Sequence, residues 1–203
     1  MPDRYVFELT GGDLSLDLAN TQDERKTDHP RELLRNYQDL LDWGVQAGAI
    51  PSAQAAVLRK YADRHPHAAQ SALGRVRAMR EALFQVFAAA IGNRPAPASA
   101  LALLDDAICR AAAMRRLEAR RGGFAWGWRT DAKDLERVVW PVAWSAGGLL
   151  TSGNLDRVRM CAGAGCGWLF LDTSKNRTRR WCDMSVCGNR AKARRHYEKT
   201  SRQ

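Results

Sequence analysis

The chain has 203 residues, 45% of them hydrophobic and 27% charged, with a net charge of +10. That length suits one substantial core plus a small appendage, and that balance excludes a wholly disordered chain. The longest uncharged run, Val138–Leu155, is interrupted by Pro141, Gly147, Gly148 and Gly153 and is a poor membrane span.

The first residues, MPDRYVFELTGGD, place no apolar run behind a basic start. No secretory signal is expected, and a cytoplasmic setting would keep cysteines reduced or metal-bound. RYVFELTGGDLSLDLANT reads as two short extended segments around Gly11-Gly12, with Leu14, Leu16 and Leu18 on one face. From Arg31, Leu33, Leu34, Tyr37, Leu40 and Leu41 recur at helical spacing. Pro51-Ser52 opens a second helix through Ala55 and Leu58. A third is expected from about Ala68 to Ile91, and a fourth after GNRPAPAS (Gly92–Ser99). Cys109 in that fourth helix is expected to be a buried apolar residue.

RRLEARRGGFAWGWR reads as a hairpin turning at Gly122-Gly123, with Phe124, Trp126 and Trp128 on one side. Trp43, Trp126 and Trp128 are suitable lining for a ligand pocket. Thr130 or Asp131 is expected to cap a further helix through Leu135, Val138 and Val142, kinked by Pro141 unless that proline falls in the first turn.

The charge is unevenly placed. From Arg157 to Gln203 there are 12 Lys/Arg against 3 Asp/Glu, whereas the preceding 156 residues hold 20 against 19. Such asymmetry points to a polyanion-binding module on a nearly neutral body.

Four cysteines lie in that module, as C-x4-C, fifteen residues, then C-x4-C: Cys161, Cys166, Cys182 and Cys187. Two close pairs separated by a loop suit a tetrahedral Zn2+ site, whereas disulfides would suit a secreted chain. Four thiolates leave no open coordination position, so the zinc is expected to be structural and not catalytic. WLFLDTSKNRTRRW, between the pairs, reads as a hairpin turning at Asp172 to Asn176, with Trp168, Phe170 and Trp181 covering the site. After Cys187 the chain turns helical, with Ala193 and Tyr197 expected to pack inward. A segment this short buries little apolar surface, and a structural zinc supplies on the order of 10 kcal/mol.

The basic residues follow. Arg177, Arg179 and Arg180 on the arm are expected to contact phosphate. Arg190, Lys192, Arg194, Arg195 and Lys199 lie on a helix sized for a major groove, some of them candidates for base edges. The same charge would serve a folded RNA, with Trp168 and Trp181 as stacking groups if exposed. Asp17 and Asn20, with Arg75 and Arg80 from the long helix, form a possible ligand cluster if those faces converge. No nucleophile–base spacing or phosphate loop is present, so an enzyme is not expected.

Leu149 to Arg195, with LLTSGNLDRVRMC and CGWLFLDTSKNRTRRWCDMSVCGNRAKARR, closely resembles the CGNR zinc-finger family. The family's tetrapeptide stands here as Cys187-Gly188-Asn189-Arg190, and its metal pattern falls on the four cysteines. GGDLSLDLANT (Gly11 to Thr21) resembles the start of the ABATE domain that usually precedes this finger. The resemblance implies a bacterial transcription regulator, stress-induced, with the finger as its DNA-binding part.

The expected architecture is mainly α with small β-hairpins. A helical body spans residues 1–152, and a treble-clef or ribbon-like zinc finger with a basic C-terminal helix spans 153–203. The expected function is zinc-dependent binding of duplex DNA in transcription control, responsive to a small-molecule effector or stress, with RNA or the ribosome as the alternative target. No membrane partner is expected. A single finger makes few base contacts, so a homodimer is expected.

Overall fold

The longest helix sets the frame. In the computed structural model, which describes residues 5–129 and 134–200 with the side chain of Lys199 left out, α4 runs from Pro66 to Ile91. At 1.5 Å per residue it is about 39 Å long, and Pro66 sits in the first turn, where no N–H is needed. Its inner stripe of Ala69, Leu73, Val76, Leu83 and Phe87 is buried. Around it pack α1 (Leu14–Ala19), α2 (Tyr37–Gln46), α3 (Ser52–Arg64) and α5 (Ala98–Ala113). α6 (Trp140–Thr151) lies against α1 and α5. Three two-stranded antiparallel sheets complete the described residues: β1 (Gln22–Asp23) with β2 (Arg31–Glu32), β3 (Arg115–Arg120) with β4 (Gly123–Trp128), and β5 (Val158–Met160) with β6 (Leu169–Leu171). No helix among the described residues is long and apolar enough to cross a membrane.

The helices expected from periodicity are present, except that the first starts at Tyr37 and not at Arg31: Arg31–Glu32 is a strand, and Asn36 caps α2. The β3–β4 hairpin is present too, with Leu117 opposite Trp126 and Ala119 opposite Phe124. Pro141 falls in the first turn of α6, preceded by a 3-10 turn at Arg137–Val139, so it starts the helix and does not kink it. The expected cap at Thr130 or Asp131 lies outside the described residues.

Three expectations need correction. Leu14–Ala19 is a helix, not a strand: the Asp13 carboxylate accepts from the Ser15 N–H at 2.9 Å and caps it. Cys109 is exposed, because Leu104, Ala107 and Ala111 form the inner face of α5. Trp43 is fully buried, whereas Trp126 is exposed, so the two do not share a pocket wall.

An ion network around two buried arginine side chains braces the body. The Arg80 guanidinium holds both oxygens of Glu32, at 2.6 and 2.8 Å, and reaches Glu81 through Nε at 2.9 Å. Arg25 takes both oxygens of Glu81 at 2.9 and 3.2 Å and lies over the Phe84 ring. Burial alone would raise the Glu81 carboxyl, but the bonds from Arg25 and Arg80 hold it below its usual range.

Candidate metal centre and basic helix

Cys161 and Cys166 stand in the loop that joins β5 to β6, so the sheet brings its own ends around the first cysteine pair. Gly167 takes φ +79 as the chain leaves this knuckle, and a Cβ there would meet Arg25 Cβ at 3.1 Å. Cys182 precedes, and Cys187 ends, a turn at Met184–Gly188 that feeds α7 (Asn189–Thr200). Asp183 caps that turn, accepting from the N–H groups of Ser185 at 2.6 Å and Val186 at 3.1 Å. Gly188 leaves room for Met184, whose Sδ an added Cβ would strike.

The four Sγ atoms all lie within 4.8 Å of one another. Cys166–Cys182 and Cys182–Cys187 are each 3.7 Å apart. A tetrahedral site with metal–sulfur bonds of about 2.3 Å has sulfur–sulfur edges of about 3.8 Å; a disulfide would need about 2.05 Å. Backbone N–H groups of Gly163 and Trp168 point at Cys161 and Cys166 sulfur at 3.4 and 3.5 Å. As bare thiols the four cannot share one charge state. Hydrogen bonds from Cys166 and Cys182 pull Cys161 down to about 2. The bond to Cys161 pushes Cys166 up to about 12. Cys182 is raised by its contacts with Cys161 and Cys166, and Cys187 by burial. A divalent cation at the centre removes that conflict, so donor set, spacing and electrostatics all fit a metal.

A hairpin bearing one cysteine pair and a helix start bearing the other make a treble-clef arrangement. The hairpin is not the one expected between the pairs. Residues after Leu171 leave the sheet because Asp172 turns the chain, accepting from Ser174 N–H at 2.9 Å and Arg179 N–H at 3.0 Å. Trp168 is buried beside the cysteines and Trp181 half-buried, so neither is an open stacking surface.

The finger is built into the body, and buried residues of both form one apolar cluster. Asn20 is 2% exposed and binds Leu169 as a neighbouring strand would: its Nδ2 donates to Leu169 O and its Oδ1 accepts from Leu169 N–H, both at 2.8 Å. Leu171 N–H donates to Gly11 O at 2.7 Å. The N–H groups of Arg25 and Lys26 donate to Cys166 O and Gly165 O at 2.9 and 3.1 Å, and Lys26 Nζ reaches Cys161 O at 2.7 Å. Sequence reasoning missed Arg25 and Lys26, because a bond to another segment's backbone leaves no pattern in either segment.

The expected ligand cluster does not assemble. Asp17 accepts from Gly11 N–H at 2.8 Å, Asn20 serves the finger, and Arg75 pairs with Glu136 at 2.6 Å. Arg80 faces Glu32 and Glu81. Burial pushes the Asp17 carboxyl up to about 6, with Gly11 N–H opposing and Asp13 adding.

The basic residues divide. Arg179 turns inward, over the Phe170 ring, donating to Trp181 O at 2.9 Å and to Cys182 O. It ties the second cysteine pair to the hairpin, a structural role in place of the expected phosphate contact. Arg177 pairs with Asp156 at 2.5 Å, and exposed Arg180 lies over Trp181. Arg190, Lys192, Arg194 and Arg195 are exposed along α7; Lys199 belongs to the helix, but its side chain lies outside the description. Ala193 is exposed and Tyr197 is 71% exposed, so the expected inward packing of these two is absent, and α7 packs chiefly on the turn that precedes it. A cleft of about 260 Å3 separates the start of α7 from the body, with Arg190 and Arg194 on one side and Glu8, Asp23 and Glu24 on the other.

The sequence model of the ABATE family, described as a "putative stress-induced transcription regulator", matches residues 12–153. The chain belongs to the ABATE family. The CGNR zinc finger matches residues 157–200, so the metal centre is that finger's, following the ABATE region in the same order as the sequence suggested. No curated protein matches the chain. Within ABATE, residues 12–153 hold the network of Arg80, Glu81 and Arg25, and Arg25 reaches across to the knuckle of the finger.

Proposed function

We propose that this ABATE protein is a transcription regulator that binds duplex DNA through the finger and is not an enzyme. The observation that carries this is α7. It follows two residues after Cys187 and exposes Arg190, Lys192, Arg194 and Arg195, with Glu198 as the one acidic residue of the helix. A twelve-residue helix with no packed face gains little from its own propensity. A fixed start just after Cys187 and a polyanion along its length both favour it.

The metal is Zn2+, and its role is structural: it sets the angle at which α7 leaves the hairpin. The setting is cytoplasmic, and two copies act together, since one helix reads few base pairs. A small-molecule effector would act most directly in the cleft of Glu8, Asp23, Arg190 and Arg194, where filling it changes what two helix arginines face.

The test is selection from a random duplex pool by the zinc-loaded chain at near-physiological salt. An enriched motif is expected, with two-fold symmetry if a dimer reads it. Replacing Arg190 and Arg195 by Gln should lower affinity for that motif and reduce the slope of log K against log salt by about 2. An unenriched pool, or unchanged affinity and slope, would refute the reading and turn attention to structured RNA.

A further inference from the structure

The β3–β4 hairpin presents an aromatic face that the body does not cover. Phe124 is 75%, Trp126 58% and Leu117 60% exposed, and all lie on one side of the ribbon. Trp144 of α6 continues the face, 40% exposed. At its centre stands Arg115. Its guanidinium lies 4.3 Å from the Trp128 ring centroid, 4.9 Å from that of Trp144 and 5.5 Å from that of Trp126. Arg115 has no carboxylate partner among the described residues, and its buried Nε has no hydrogen-bond partner. The stretch from Arg115 to Arg129 holds five arginines and one glutamate. Glu118 is committed to Arg120 at 2.6 Å, which leaves Arg121 and Arg129, and Arg116 on the opposite face of the ribbon, exposed without a carboxylate partner among the described residues.

Apolar exposure on this scale needs an occupant. A second copy meeting the same face would bring two sets of unpaired arginines together. A polyanion with flat apolar groups satisfies both features. We infer that this face binds an unpaired strand of nucleic acid, with bases stacked on Trp126 and Phe124 and a phosphate on Arg115.

Trp126 and Phe124 are two residues apart on one strand, so their rings are offset by about 6.6 Å along it, room for one base on each. A guanidinium stacked between aromatic rings keeps its N–H edge free for a phosphate oxygen. The contact reads a strand, whereas α7 is proposed to read a duplex, so the two surfaces need different substrates.

The test uses the zinc-loaded full chain and fluorescently labelled twelve-nucleotide oligomers, oligo(dT) and oligo(U), beside a labelled duplex. Phe124→Leu with Trp126→Leu keeps the face apolar and removes its rings. That variant should lose at least ~10-fold in single-strand affinity, with the thermal midpoint and duplex affinity unchanged; Phe124→Tyr with Trp126→Phe should restore the binding. Loss on both oligomers marks a strand contact indifferent to sugar, and loss on one marks the kind of strand recognised. Arg190→Gln with Arg195→Gln serves as the contrast: it should keep single-strand affinity, whatever it does to duplex. Unchanged single-strand affinity in the leucine variant would overturn the inference. So would a chain that binds neither oligomer and whose dimer dissociates on Phe124→Asp with Trp126→Asp, since the face would then be a contact between copies.

Discussion

Asn20→Ala is the sharpest test of how the finger is held. The side chain makes two hydrogen bonds of 2.8 Å to the N–H and C=O of Leu169, and Leu169 is fully buried. Alanine leaves both backbone groups without partners in a place water does not reach. Each unsatisfied buried group costs about 1–3 kcal/mol, so the expected loss is about 2–6 kcal/mol. Total stabilities are about 5–15 kcal/mol, so the effect is a large fraction of the whole. Urea unfolding of the zinc-loaded chain, followed by circular dichroism and tryptophan fluorescence, measures it: the midpoint should fall with the slope unchanged.

A second readout separates this role from a ligand-binding one. Leu169 pairs with Met160, next to Cys161, so loosening it should speed metal loss to a chelator. Asn20→Asp keeps an acceptor for the Leu169 N–H but turns a carboxylate oxygen toward the Leu169 carbonyl. It should be worse than alanine. A loss below about 1 kcal/mol in Asn20→Ala, or an aspartate variant as stable as the parent, would refute the strand-like role.

Three further outcomes follow from the same geometry. Arg80→Ala removes a buried guanidinium from two half-buried carboxylates that keep Arg77 and Arg25 as partners, and should cost about 1–3 kcal/mol, whereas Arg75→Ala, at an exposed pair, should cost no more than about 1 kcal/mol in the same urea titration. Asp17, raised to about 6 against a usual 3.8, binds a proton in the folded chain that the unfolded chain releases. Stability from this group is therefore greatest below pH 4 and is lost as pH rises through 6. Asp17→Asn still accepts from Gly11, so its stability in urea unfolding should match the parent at pH 4 and exceed it above pH 6, by about 1–2 kcal/mol after screening. Arg179→Ala should speed zinc loss to a chelator without changing the salt slope of DNA binding, and Arg180→Ala should do the reverse.

The metal centre was legible because its chemistry requires four like residues at short spacing, and nothing else in the chain competes for that pattern. The amphipathic helices were legible from their apolar stripes, and the β3–β4 hairpin from its alternation. α1 was not. Leu16, Leu18 and Ala19 are buried together with Ser15, so no polar face remains to reveal a helical period, and the spacing of Leu14, Leu16 and Leu18 imitates a strand. Its signal was Asp13-Leu-Ser15. The same device recurs at Asp172-Thr-Ser174 and Asp183-Met-Ser185. Each time the aspartate accepts from the serine N–H and hydroxyl two residues on, and turns the chain. Read as turn chemistry, these triplets would have started α1 as a helix, ended the finger hairpin at Leu171, and capped the turn that carries Cys187.

The contacts that join body and finger were illegible for a different reason. Asn20, Arg25, Lys26 and Arg179 bind main-chain groups of the other segment, and every residue type supplies those. That choice of partner has a consequence. Arg25 bonds Glu81 of α4 through its guanidinium and Cys166 through its own N–H, so one residue links the long helix of the body to a metal ligand. Lys26, the next residue, ties the same segment to Cys161 through its side chain. A shift of α4 relative to β1 would therefore move the first cysteine pair against the second, which Asp183 and Arg179 hold independently. Because α7 starts two residues after Cys187, its angle to the hairpin depends on the relative placing of the two pairs, and any signal received by the body has a covalent and hydrogen-bonded route to the basic helix.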